Sequence, residues 1–227
     1  GVVFSTARRT IYDDYTINNQ VRVLFDDAED GAFEVIDSEI ENMDEYVGIY
    51  ADIFYREESN GDKTIVAVNP VANKNSTLEV NGSDVSAFAN LTLDDNGLLV
   101  NGAEFTYYPD STSSRTRRED VSGARLVYNG QAITSGNVNQ LPEGTTLEEF
   151  VTPAAGTVTL LDYDNDGNYD VILVEKYITM LVTTASDTRI TGRVAGETET
   201  LDVDTTVSDK TITVTRLGDE VNPRNLR

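Results

Sequence analysis

Short β-rich runs separated by turn residues are the feature that most constrains how this chain folds. In residues 49–56 the side chains at odd-numbered positions are apolar, and residues 64–68 form a second β-rich run. Asn60-Gly61 lies between the two runs. Both residue types tolerate positive φ, so this arrangement predicts a β-hairpin. The same dipeptide at residues 96–97, 101–102 and 129–130 predicts further turns.

Similar β-rich runs recur along most of the chain. They cover residues 21–25, 77–80, 98–100, 104–108, 124–128, 157–161, 171–175, 178–183, 189–194, 198–203 and 211–215. Short strands at a spacing of about 8–12 residues are typical of β-barrels and β-sandwiches.

Helical signals are confined to two short segments. Residues 37–47 carry apolar side chains at helical spacing behind an N-cap candidate, Asp37 or Ser38, and residues 147–150 fit a single turn. The polar segment 109–118 is the best candidate for a linker. We therefore predict an all-β fold with one short helix. It would consist of two small barrel-like or sandwich-like subdomains, residues 1–110 and 111–227.

The charge of the chain excludes some classes of partner. Its 40 acidic and 17 basic residues give a net charge of −23. Such a surface repels nucleic acid and anionic lipid, because binding to phosphates requires Lys and Arg. It attracts divalent cations. No apolar run reaches the length of a membrane-spanning helix, so we expect no direct membrane insertion.

The absence of histidine, cysteine and tryptophan limits the chemistry of the chain. Without histidine or cysteine, the usual catalytic triads and zinc ligand sets cannot form. Catalysis would have to use carboxylates, Tyr, Lys or a hard metal ion, and no single carboxylate pair stands out, so we expect no enzymatic activity. A chain without cysteine is also consistent with an exported or virion protein.

The motif that carries chemistry is D-x-D-x-D-G-x-x-D at residues 162–170. Calcium prefers six to eight oxygen ligands in a flexible geometry. Alternate positions of a tight loop point toward one centre, so Asp162, Asp164 and Asp166 can each supply a carboxylate oxygen. The backbone carbonyl of Asn168 would follow, and Asp170 would complete the shell. The sequence therefore predicts a calcium site.

The segments around this loop distinguish it from an EF-hand. An EF-hand has a bidentate Glu at loop position twelve and a helix on each side, whereas position twelve here is Leu173 and both flanks are β-rich. We therefore expect a strand–loop–strand site. Magnesium is less suitable, because it keeps several waters and few protein ligands. The alternative is a solvated acidic turn without metal.

Three other segments are weaker candidates for function. Residues 26–31 resemble a degenerate copy of the aspartate loop in which Ala28 replaces a ligand, and we interpret them as a solvated turn. Arg115, Arg117 and Arg118 are a basic cluster, which we interpret as an exposed loop rather than a docking site. Residues 2–20 lack a local hairpin partner, so we expect one terminus to extend and pack on a neighbouring molecule.

Several segments together resemble a known family of modules. They are Glu-Tyr-Val-Gly at residues 45–48 before the first hairpin, Leu-Val-Tyr-Asn-Gly-Gln at 126–131, and Gly-Thr-Val-Thr-Leu at 156–160 before the aspartate loop. This order resembles a repeating β module of large clostridial-type surface proteins that carry S-layer homology domains, over residues 40–216. The resemblance implies an extracellular, cell-surface location. The S-layer homology motif itself is not present, so a virion protein built from similar modules is an alternative.

Two classes of function follow from these observations. The first is a non-enzymatic, calcium-binding structural or assembly module of a secreted cell-surface or virion protein. Its partners would be other copies of itself or neighbouring surface or virion proteins. The second is an accessory glycan-binding module, for which the 11 tyrosines could line a sugar-binding face although tryptophan is absent. A hydrolase that uses only carboxylates is a remote third.

Overall fold

The computed structural model describes residues 1–12, 16–17, 19–26, 32–139, 141, 143–194, 196–202, 215–216 and 219–220. The chain forms two compact units, Gly1–Lys176 and Tyr177–Arg227. The all-β prediction is confirmed. The expected division at residue 110 falls inside the first unit, where a strand at residues 76–81 pairs with a strand at residues 156–162, so the boundary lies at Lys176 instead.

Thirteen strands of the first unit are described. They are β1 Val2–Ser5, β2 Gln20–Leu24, β3 Glu34–Ser38, β4 Ala51–Glu57, β5 Lys63–Pro70, β6 Ser76–Asn81, β7 Val85–Ala89, β8 Glu104–Tyr107, β9 Arg117–Asp120, β10 Arg125–Tyr128, β11 Gln131–Ala132, β12 Gly156–Asp162 and β13 Val171–Lys176. The strands form three sheets, ordered β1-β2-β3-β5-β4, β11-β10-β13-β12-β6 and β7-β8-β9. We call the second of these the central sheet.

The middle of the central sheet is buried on both faces. All four residues of β13 from Val171 to Val174 are buried, and β13 pairs in parallel with β10 and antiparallel with β12. Parallel strands covered on both sides typically read as continuous apolar runs, as Val-Ile-Leu-Val does here. Alternate side chains therefore point to opposite faces. The central sheet is the middle layer of a three-layer sandwich.

Each face of the central sheet contributes to a separate hydrophobic core. The first core lies between the β1–β5 sheet and the central sheet, and its buried members include Val3, Val23, Ile65, Val127, Leu161 and Val171. The second core lies between the central sheet and the β7–β9 sheet, and its buried members include Phe88, Phe105, Leu126, Leu160, Ile172 and Val174. Burying each such side chain contributes about 1.5–3 kcal/mol.

The β1–β5 sheet curls around the first core. Its strands are antiparallel except for β3 and β5, which run parallel. Val2 forms an isolated bridge with Tyr50, just before β4, so the two edge strands of the sheet meet at one end. Among the described residues this contact does not continue as a ladder, and the sheet stays an open, curled layer rather than a closed barrel.

Helices are few and short. The described residues include α1 Ser135–Val138 and α2 Leu147–Val151, with 3-10 helices at Met43–Tyr46 and Gly82–Asp84. The turn predicted at residues 147–150 is confirmed as α2, which begins with a capping box. The hydroxyl of Thr146 accepts from the Glu149 N–H, and the Glu149 carboxylate accepts from the Thr146 N–H.

The helix predicted at residues 37–47 is wrong over most of its length. Asp37 and Ser38 belong to β3, and only Met43–Tyr46 is helical, as a 3-10 helix. β3 pairs with the preceding strand β2 and, in parallel, with the non-consecutive strand β5. Tertiary strand pairing therefore outweighs the local helical spacing. The Ser38 hydroxyl accepts from the Ile40 N–H, which forms a turn rather than a helix N-cap.

The hairpins predicted from Asn-Gly pairs are confirmed where the pair joins two strands. β4 and β5 pair antiparallel around Gly61, which has a φ of +90°. β10 and β11 pair through Asn129 and Gly130, both at positive φ. The polar segment 109–118 is a loop only as far as Thr116, because Arg117 and Arg118 begin β9, and Arg118 pairs with Glu104 at 3.1 Å.

The N-terminus is part of the core, which corrects the expectation that residues 2–20 form an extending arm. All four residues of β1 are buried, and β1 pairs with β2. The terminal ammonium of Gly1 donates to the carbonyl of Ala51 at 3.0 Å. At the other end, residues 211–214 of the predicted strand 211–215 and residues 221–227 lie outside the described residues.

The second unit contains five described strands. They are β14 Leu181–Ala185, β15 Arg189–Val194, β16 Glu197–Asp202, β17 Thr215–Arg216 and β18 Asp219–Glu220. β14, β15 and β16 form an antiparallel sheet, and β17 pairs with β18. Across the described part of the whole chain, no helix has the length and apolar character needed to cross a membrane.

Placement of β1 in the core leads to a stability prediction. Val3 is fully buried, whereas Ile17 is 61% exposed. Val3→Ala should lower the free energy of unfolding by roughly 1–3 kcal/mol, because it leaves a cavity in the first core. Ile17→Ala should change it by less than about 0.5 kcal/mol. Urea unfolding of both variants measures the difference, and equal effects would contradict the placement of β1.

Candidate metal centre

The aspartate loop joins the two central strands of the middle layer. β12 ends at Asp162 and β13 begins at Val171, and Leu161 and Val171 are the last paired residues of this hairpin. The Asp170 N–H donates to the Leu161 carbonyl at 2.8 Å and closes the base of the loop. The predicted strand–loop–strand context is therefore what the fold contains.

Three of the predicted ligands are brought together. Asp162, Asp164 and Asp166 each place a carboxylate oxygen within 4.8 Å of the others, an arrangement that could hold a metal ion. Asp162 is only 3% exposed, while Asp164 and Asp166 are exposed. The cluster therefore has one buried carboxylate at its base and two at the surface, where an ion can enter from solvent.

Backbone geometry holds these carboxylates on one side of the loop. Asn165 and Gly167 have φ of +58° and +92°, so the residues on both sides of Asp166 are in the left-handed region. A Cβ on Gly167 would meet no atom within 4 Å, so glycine is needed there for its φ and not for space. Asp162 accepts from the N–H of Gly167 at 3.0 Å.

The two exposed aspartates are held in the same way. Asp164 accepts from the Asp166 N–H at 3.1 Å, and Asp166 accepts from the Asn168 N–H at 2.7 Å. Each bond joins a carboxylate to the N–H two residues ahead. This is an Asx turn, which aspartate favours. The carboxylates are therefore positioned by the loop itself before any ion binds.

The remaining two predicted ligands occupy different positions. Asp170 is not in the three-carboxylate cluster, and one of its oxygens accepts from the Tyr163 N–H at 2.8 Å. The pKa of Asp170 is raised to about 6, mainly by burial and also by the charges of Asp164, Asp162 and Asp166, against the lowering effect of that hydrogen bond. The side-chain amide nitrogen of Asn168 donates to Asp166, and its backbone carbonyl is the predicted ligand.

Two tyrosines that the sequence did not single out anchor the loop. Tyr163 packs against the first core, with its ring centroid 6.0 Å from that of Phe4, and burial raises its pKa to about 12. Tyr169 packs against the second core, and burial raises its pKa as well. Aromatic residues near both ends of an otherwise polar loop were the available signal. The loop is therefore fastened to both cores.

Further contacts fix the base and tip of the loop. The Arg125 N–H donates to the Asp170 carbonyl at 2.8 Å, which links the loop to β10. The Arg125 guanidinium stacks over the ring of Tyr12 at 4.1 Å. At the tip, the Asn165 amide donates to the Asn73 carbonyl at 3.3 Å. These contacts limit the freedom of the loop without using the converging carboxylate oxygens of Asp162, Asp164 and Asp166.

The donor set selects a class of metal. All the candidate ligands are oxygens, and carboxylate and carbonyl oxygens suit hard cations rather than soft ones. Three negative charges within 4.8 Å repel one another unless a cation neutralises them. The residues thus fit a hard divalent cation.

The degenerate loop predicted at residues 26–31 cannot be compared with this site. Residues 27–31 lie outside the described part of the chain. Asp26 accepts a short hydrogen bond from the Tyr50 hydroxyl and lies 3.8 Å from the terminal ammonium of Gly1.

The raised pKa of Asp170 predicts a pH-dependent stability of the metal-free protein. Its folded pKa of about 6 exceeds the unfolded value of about 3.9. The folded state therefore holds this proton more tightly, and the resulting stability is complete below about pH 4 and is lost as pH rises through about 6. In chelator, the free energy of unfolding of Asp170→Asn should therefore increase relative to that of the wild type as pH rises from about 4 to about 6. Urea unfolding at several pH values measures this, and a difference that does not vary with pH would contradict it.

The sequence prediction and the structure agree on the position and main carboxylates of the loop. They differ on Asp170, which lies beside the cluster of Asp162, Asp164 and Asp166 rather than within it.

Comparisons with protein-family models, with curated proteins and with solved structures gave no significant match for this chain.

Proposed function

We propose that this chain is a non-enzymatic, calcium-binding structural module of an extracellular assembly, either a surface layer or a virion. The calcium ion is bound by the carboxylates of Asp162, Asp164 and Asp166, with the Asn168 carbonyl and Asp170 completing the shell. The observation that carries the proposal is the convergence of three carboxylate oxygens within 4.8 Å on the loop between the two central strands.

Calcium suits this loop better than magnesium. Calcium accepts six to eight oxygens in an adaptable geometry, whereas magnesium requires a near-ideal octahedron and retains several waters. Here up to five ligands come from nine consecutive residues, and one of them, Asp170, lies outside the tight cluster. Asp170 could join the shell directly or through a bridging water, and further waters would fill the remaining positions, as is common for calcium.

Calcium would act by stabilising the fold rather than by chemistry. The loop connects β12 to β13, and Tyr163 and Tyr169 link it to the two cores. An ion that binds only the folded state adds RT ln(1 + [L]/Kd) to stability, which is about 2.7 kcal/mol at a hundredfold excess over Kd. Binding would therefore stabilise the packing of both cores at once.

The exposure of the site supports an extracellular location. Asp164 and Asp166 are exposed. Calcium sites of extracellular modules typically have Kd of about 10⁻⁴–10⁻³ M, which only extracellular calcium can saturate. The net charge of −23 and the resemblance of residues 40–216 to modules of exported surface proteins point the same way.

Calcium dependence of stability tests the proposal. Millimolar calcium should raise the melting temperature relative to chelator, and Asp166→Asn should remove most of this increase. Asp95→Asn is the matched control, because Asp95 is an exposed aspartate in the turn at residues 94–97. Calorimetry and calcium-competed terbium luminescence, sensitised by the loop tyrosines, check binding directly. No binding heat and an unchanged melting temperature would refute the metal site.

The same site predicts an opposite effect without metal. In chelator, Asp164→Asn should raise the free energy of unfolding by about 1 kcal/mol or less, because it removes repulsion between carboxylates that are partly screened by water. In calcium the same variant should be less stable than the wild type. This change of sign is measured by urea unfolding in the two buffers. A variant that is destabilised equally in both would indicate a purely structural role for Asp164.

A further inference from the structure

We infer that the free edge of β4 is a self-association surface, and that it pairs antiparallel with β4 of a second copy of this chain around Phe54. This inference extends the assembly role proposed above. It uses no residue of the aspartate loop, so the two proposals fail separately.

β4 has an unpaired edge in the described structure. It pairs with β5 on one side. Among the described residues, the only backbone hydrogen bonds on its other side are the two between Ala51 and Gly1, and the Tyr55 ring contacts that of Phe25. In an antiparallel ladder the N–H and C=O groups of successive residues point alternately to the two sides. The backbone N–H and C=O groups of Ala51 point away from β5. The same groups of Ile53, Tyr55 and Glu57 therefore point away from β5 as well. Such an edge can accept another strand.

The edge is regular although the hairpin contains a bulge. The register shifts between Phe54, which is opposite Ala67, and Tyr55, which is opposite Ile65. The extra residue is therefore Val66 on β5, and β4 keeps its alternation. β4 carries an exposed apolar centre, because Phe54 is 54% exposed and Tyr55 is 42% exposed. Aromatic side chains this exposed on an edge strand are available for contact with a strand that pairs there.

The sequence of this edge is complementary to itself. Pairing two copies antiparallel about Phe54 places Asp52 opposite Arg56 of the second copy, twice by symmetry, and Ile53 opposite Tyr55. The hydrogen-bonding groups of Ile53 and Tyr55 face each other in this register, as an antiparallel ladder requires. Asp52, Phe54 and Arg56 then share one face and form two ion pairs on either side of a Phe–Phe pair.

These features select a second copy as the occupant. An isologous interface needs a surface that matches itself under a two-fold rotation, and the order acidic, aliphatic, aromatic, aromatic, basic from Asp52 to Arg56 provides it. Arg56 currently pairs with Glu39 at 2.9 Å and Glu58 at 3.0 Å, but both pairs are exposed and contribute little. Arg56 is thus available to a partner carboxylate.

Charge-swapped variants of the full chain test the pairing and its register. Sedimentation equilibrium of the wild type, in calcium and in chelator, should show a concentration-dependent dimer in about 0.15 M salt, where the Debye length of about 8 Å limits repulsion between the acidic bodies. Asp52→Arg places arginine opposite Arg56, and Arg56→Asp places aspartate opposite Asp52. Each should weaken the dimer about tenfold or more, because two cross-strand pairs become repulsive.

An equimolar mixture of the two variants gives the decisive result. In the mixed pair every arginine again faces an aspartate, so a heterodimer should form with near wild-type affinity. Asp95→Arg controls for net charge, and unchanged melting temperatures show that the variants fold. A wild type that stays monomeric up to about 0.5 mM, a dimer that survives both substitutions, or a mixture that does not recover would each overturn the inference. Calcium-dependent stability in the same samples reports on the metal site independently.

Discussion

The burial of both faces of β13 is the constraint on which the rest of the structure depends. A strand that reads Val-Ile-Leu-Val has no solvent-facing side, so it requires a covering layer above and below. The β1–β5 sheet and the β7–β9 sheet are these layers, and each buries its apolar face against the central sheet. The order of the layers is therefore set by the most apolar strand, and the two cores share the central sheet as a common wall.

The position of the aspartate loop follows from this arrangement. Asp162 is the last residue of β12 and remains buried where the strand leaves the two cores. A buried carboxylate is costly unless it is hydrogen-bonded, and the N–H groups of Asn165 and Gly167 supply those bonds. The same bonds force the tight turn that brings Asp164 and Asp166 alongside. The converging carboxylates are thus partly a consequence of ending a central strand in an acidic turn, and a bound cation would offset their repulsion.

Local signals predicted the parts of the fold that depend on neighbours in sequence. The hairpin turns at Asn60-Gly61 and Asn129-Gly130 and the capped turn α2 were readable because their geometry is set within a few residues. β1 and β3 were not recognised, because their partners lie far along the chain and their own patterns are short or ambiguous. The division at residue 110 failed for the same reason, since no local pattern indicates that β6 pairs with β12. In the loop, D-x-D-x-D-G identified the cluster, but the anchoring of Tyr163 and Tyr169 and the offset of Asp170 depend on cores that are assembled from distant residues.

The edge of β4 shows how one set of residues can both restrict and permit association. Charges on an edge strand discourage unselective pairing, and Asp52 and Arg56 flank the apolar centre at Phe54 in this way. Only a strand that presents opposite charges in the reverse order satisfies both flanks at once, which is the repulsive component that specificity requires. Because the bulge is on β5 and not on β4, the edge stays straight enough for that strand to form a ladder. The local bend that the bulge causes is therefore on β5, and the exposed edge of β4 keeps its regular alternation.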